Sequence, residues 1–228
     1  MRARSQLLLQ HWVSHQRKEE RNLIDFPISC LLTHPFSNHT NALMPSTISR
    51  PDASEHAPYY STYINDAAAT LQRTGKSDIR DLMEGQCDEI AALVRDISDE
   101  AANSGYAPGK WSLKESIVHI CDAERVFSYR ALRIGRGDET PLASFEQDDY
   151  VPTSRANTRT MTDILAEFRA VRAASLALIN SFDDDAIARV GTASDRLFST
   201  RALCWIMAGH AAHHVGLTRD RYVPALKA

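Results

Sequence analysis

After Lys76, apolar residues recur at three- and four-residue spacing along most of the chain, the period of a helix with one buried face. In SDIRDLMEGQCDEIAALVRDISDE (77–100), Ile79, Leu82, Met83, Ile90, Leu93, Val94 and Ile97 form such a stripe, with Ser77 as the expected N-cap. The APGK stretch then breaks the pattern. S-L-K-E at Ser112–Glu115 is a capping box, and it launches a helix that runs to about Ile134, where Gly135 and Gly137 stop it. Met161, Ile164, Leu165, Phe168, Val171, Leu178 and Ile179 mark a third helix. A fourth spans Leu197 to about Tyr222, capped by Ser199 or Thr200. Continuous β-type alternation is absent. Four amphipathic helices of roughly 20 residues predict an all-α protein built as a four-helix bundle.

One connection is too long for a simple antiparallel bundle. Residues 135–160, GRGDETPLASFEQDDYVPTSRANTRT, carry no convincing helix or strand signal, and loops of this length are uncommon in compact domains. A crossover accounts for it. If the second and third helices run parallel, the chain must travel back along a helix of about 33 Å. At about 3.3 Å per extended residue, that takes ten residues or more. The expected topology is therefore up-down-down-up, with Pro141, Phe145, Tyr150 and Val151 tying the crossover to the domain.

Composition narrows the function without naming it. The 228 residues are 43% hydrophobic and 24% charged, as in ordinary soluble domains. A net charge of −3 gives no reason to expect nucleic-acid or membrane-surface binding, and no apolar run is long enough to span a bilayer. Cys30, Cys87, Cys121 and Cys204 are spread out with no C-x-x-C, which reads as reduced cytoplasmic thiols. Residues 1–43 differ from the rest. They hold four of the nine histidines, carry net positive charge, and lack the pattern of a secretory signal. They are expected to be a disordered or mis-annotated extension, with the domain occupying residues 44–228.

The chemistry concentrates in GHAAHHVG (209–216). At about 100° per helical residue, His210 and His214 lie about 40° apart and one turn from each other, the two-ligand geometry of helical metal sites. His213 is rotated about 100° from His214, so the three cannot converge on one point. Ala211 stands where a zincin peptidase needs glutamate, which disfavours that class. His119, in SIVHICDAER, is the one histidine in the second helix. It reads either as a core histidine bonded to a carbonyl or as a third imidazole ligand, which would leave an open position for water. Asp122 and Glu124 could orient a ligand or simply be solvated or salt-bridged carboxylates. Cys121, Cys204, Trp111 and Trp205 read as core. There is no phosphate loop, nucleophile elbow or basic-aromatic stripe.

Three segments, GKWSLKESIVHICDAERVFSYRALRIGRGDETPL (109–142), FEQDDYV (145–151) and ALCWIMAGHAAHHVGLTRDRY (202–222), resemble in order and separation the DinB-like (YfiT-like) family of metalloenzymes, over residues 50–224. The resemblance implies an up-down-down-up bundle and a metal triad of His119, His210 and His214, with His213 matching a further histidine that is not a ligand. It finds no counterpart for the segment before Met44. It also implies a divalent ion, for which zinc and nickel suit imidazole, and an activity on small molecules. That activity is either thiol S-transferase-like, with a low-molecular-weight thiol as cosubstrate, or hydrolase-like. The competing reading is a non-catalytic metal- or ligand-binding bundle, stress-related. The expected partners are a small-molecule substrate and a second copy of the chain as a homodimer, with no nucleic acid or membrane.

Overall fold

Side-chain caps from Asp, Ser, Thr or Glu set the starts of the helices after the first, up to the one that begins at Thr200. The computed structural model describes residues 47–227, so residues 1–43, Cys30 included, lie outside the described residues. The first helix, α1, is Ser61–Thr74, closed by Gly75 in the left-handed conformation at φ 69°. Helix α2 is Ile79–Val94, and its cap is Asp78 rather than Ser77, the Asp78 carboxylate accepting from Arg80 N. The S-L-K-E box is formed as read: Ser112 Oγ accepts from Glu115 N, Glu115 reaches back to Ser112 N, and α3 runs Leu113–Gly135. A seven-residue helix, α4 (Gln147–Thr153), stands within the crossover, which carried no helix signal. Thr160 caps α5, Met161–Ile179, and the short α6, Asp184–Ala188, follows.

The chain then makes a hairpin, β1 (Val190–Ala193) paired antiparallel with β2 (Arg196–Ser199). The last helix, α7, therefore begins at Thr200 with Ser199 as its cap, and Leu197 belongs to a strand instead. Helix α7 runs Thr200–Leu217, continues through a π turn at Thr218–Tyr222, and ends in α8, Val223–Leu226. Strands of four residues show too few alternations to stand out in the sequence.

Side-chain pairings fix the direction of each bundle helix. Gln86 of α2 reaches Ala208 of α7, and farther along Glu89 pairs with Arg219, so these helices run parallel. On α3, Ser116 meets His214 while Ser128 meets Met207, so α3 and α7 are antiparallel. Arg125–Glu167 and Ser128–Ser175 place α5 parallel to α3. The topology is up-down-down-up, with α2 and α3 on one diagonal and α5 and α7 on the other.

Parallel α3 and α5 require the crossover, and it is anchored at both ends. Leu142 N donates to Thr192 O of the hairpin at 2.9 Å. At the far end Asn157 bonds Ser112 and Glu115 at the start of α3.

Helix α1 was not anticipated, yet it lies along α7 as an addition to the four bundle helices. Its buried positions are only Ile64 and Ala67, too sparse a stripe to read as a helix face. Gly209 permits the contact. A Cβ there would sit 1.8 Å from Tyr63 O, so any other residue would push α1 away.

Candidate metal centre

The apolar core falls into two clusters, one around Phe127, Ile134 and Leu203 and the other around Ile90, Ile117 and Phe168. Polar side chains occupy the boundary. There His119 of α3 meets His210 and His214 of α7, and one nitrogen from each ring lies within 4.8 Å of the others. All three residues are buried. His119 Nε2 and His210 Nε2 are 3.0 Å apart, and Ser116 Oγ is 3.1 Å from His214 Nδ1. With Ser116 on its Nδ1 side, His214 offers Nε2 as its free nitrogen.

Burial sets the charge state of the cluster. It lowers the His119 pKa to about 4. His210 and His214 fall well below their ordinary 6.5 because burial, first, and the neighbouring imidazoles, second, disfavour their cations. Three neutral imidazoles in one place are three lone-pair donors. The walls are aromatic: Tyr63 stands edge-on to His210 at 5.1 Å, and half-buried Trp111 lies 4.9 Å from His119. Neither Tyr63 nor Ser116 drew notice in the sequence. Trp111, read as core, faces the cluster, whereas Trp205 is buried and donates to Ile48 O.

His213 is elsewhere. Its Nδ1 lies 3.1 Å from Asp66 on α1, and it is outside the cluster. Asp122 bonds Arg125 and reaches no histidine; it shares a small recess with His119, and burial raises its pKa. Glu124 does not approach the rings either. It is buried and accepts from Arg172 Nε and Nη2 at 2.9 and 2.7 Å. Cys121 and Cys204 are packed as hydrophobes, with burial pushing the Cys204 thiol up to about 12.

A cleft of about 390 Å³ has His210 in its lining. Tyr60, Tyr63 and Phe127 line it together with Phe145 and Gln147 of the crossover. The crossover thus walls the route to the histidines. Among the described residues no helix is long and apolar enough to cross a membrane.

Fold and site together define a helical bundle of crossed-over topology built around three imidazoles. A family model described as the DinB superfamily matches residues 82–218, more than half of the chain, and the chain belongs to that superfamily. Comparison with curated proteins finds no match. Among solved structures, the chain is similar to YfiT from Bacillus subtilis, described as "a probable metal-dependent hydrolase with an unusual four-helix bundle topology". The TM-score is 0.57 at 14% identity, covering 78% of this chain and 91% of that one, a likeness of fold.

Proposed function

We propose that His119, His210 and His214 hold a divalent metal ion, zinc or nickel, and that the chain is a metal-dependent enzyme acting on small molecules. The convergence of three buried ring nitrogens within 4.8 Å carries the reading. Family membership and the description of YfiT support it.

The donor set fits the ion. Each imidazole is neutral, so no proton need leave before it ligates. Ser116 fixes the tautomer and orientation of His214. A divalent ion held by these three imidazoles would leave room for a further ligand and would supply acidification of a water or of a low-molecular-weight thiol. Tyr63, Phe127 and Trp111 keep bulk solvent from the rings, while the cleft at His210 admits a small molecule.

Cobalt substitution tests the open position. 2-Mercaptoethanol and azide should each change the visible spectrum of the cobalt protein, and His210→Ala should abolish the change. A spectrum indifferent to both would make the metal a structural one and end the enzyme reading.

A further inference from the structure

Arg130 sits on α3 in the apolar stripe with Phe127, Ala131 and Ile134, and only 2% of it is exposed. Its Nη2 donates to Ala143 O and to Ser194 Oγ, each at 2.9 Å, and its guanidinium lies 5.4 Å from the Phe145 ring centroid. Nη1 is buried and, among the described residues, has no hydrogen-bond partner. No carboxylate among the described residues pairs with it. A guanidinium does not shed its proton, so this is a buried cation without a counter-ion, among the costliest groups a core can hold. The nearby Tyr60 phenol cannot supply the charge. Burial pushes its pKa up to about 12, and Arg130, by its charge and by a side-chain hydrogen bond to the phenol, only partly opposes the shift.

The surroundings of Arg130 are the walls of the cleft. Ser194, Phe145 and Tyr60 all line it, as does His210. Among the described residues of that lining, exposed Glu146 is the one carboxylate. Ser194 and Asp195 form the hairpin turn with φ of 50° and 57°, a left-handed pair that glycine or asparagine would adopt more easily. That strained turn keeps the Ser194 hydroxyl on Arg130. Because Ser194 Oγ accepts from Arg130, its own hydrogen is free to point into the cleft.

We propose that the cleft binds a small aromatic or apolar acid, its carboxylate drawn to the Ser194 and Tyr60 hydroxyls backed by Arg130 and its other end toward His210. That this acid is the substrate rests on the metal-enzyme reading; the anion site itself requires no metal. Aromatic walls suit the ligand body, and the unmatched guanidinium selects the charge.

Calorimetric titration of the full chain with benzoate and with its neutral analogue benzamide, before and after chelation, tests the site. Benzoate should bind about tenfold more tightly or better in both states, as a charge-assisted contact predicts. Arg130→Met should erase the preference, Arg130→Lys should keep part of it, and Ser194→Ala should weaken it; circular dichroism establishes that each variant is folded. Should Arg130→Met fail to fold, the wild-type preference and Ser194→Ala still decide. Equal binding of the two ligands, or a preference that survives Arg130→Met, overturns the proposal. A preference lost only on chelation places the carboxylate on the metal, sinking this site while the metal reading stands. A preference that persists in a protein that binds no metal does the reverse.

Discussion

The layer around Arg172 and the layer around His210 both put polar groups in the middle of the bundle, and they are completed differently. Arg172 donates to Glu124, to Met83 O at 2.8 Å and to Gln86 Oε1 at 2.5 Å, and Gln86 in turn donates to Ala208 O at 2.7 Å. One network thus ties all four bundle helices together. Among the described residues, the histidine layer has as polar contacts the 3.0 Å approach of two rings and the serine at His214, with no carboxylate. A closed network specifies packing, because each member would be costly to leave unpaired. Converging neutral imidazoles are instead the donor set of the metal reading proposed above. Burial is common to the two layers; the saturation of their hydrogen bonds is what differs.

The largest break should come in the closed layer. Glu124→Gln leaves Arg172 buried without its anion and should cost about 3–5 kcal/mol in denaturant unfolding, whereas His119→Ala in metal-free protein should cost clearly less. Near-equal losses would erase the distinction. Next comes Gly209→Ala, whose Cβ would strike Tyr63 O. It should cost about 1–3 kcal/mol and raise hydrogen exchange in Ser61–Thr74 above that in Met161–Ile179.

Acid should give a smaller separation. Since the folded-state His119 pKa is depressed to about 4 from 6.5, the folded protein binds fewer protons than the unfolded chain between those values. Metal-free protein should therefore be most stable above pH 6.5 and lose stability as pH falls toward 4. His119→Ala should flatten that slope, and an unchanged slope would contradict the assignment. The smallest effect belongs to His213→Ala. Its pair with Asp66 is half-exposed, so thermal unfolding should shift by no more than about 0.5 kcal/mol.

What the sequence revealed follows the same division. The His210/His214 pair and the Ser112 capping box depend on spacing within one helix, and both were legible. The closed layer was not, because it joins residues from four helices. Arg172 lies on the buried 168–172–175–179 stripe, and that was the available signal: a cation at an apolar register position. Glu124 was masked by its D-x-E-R neighbourhood. Helix α1 escaped because its fit depends on a missing Cβ at Gly209, a long-range complementarity with no local pattern.

Metal content, read by elemental analysis of purified full-length protein, tests the histidine layer most directly. The account predicts about one divalent ion per chain in wild type and in His213→Ala, and loss of most of it in His119→Ala and in His214→Ala, because two imidazoles hold an ion poorly. No bound metal in wild type, or equal loss from the His213 and His214 substitutions, would contradict it.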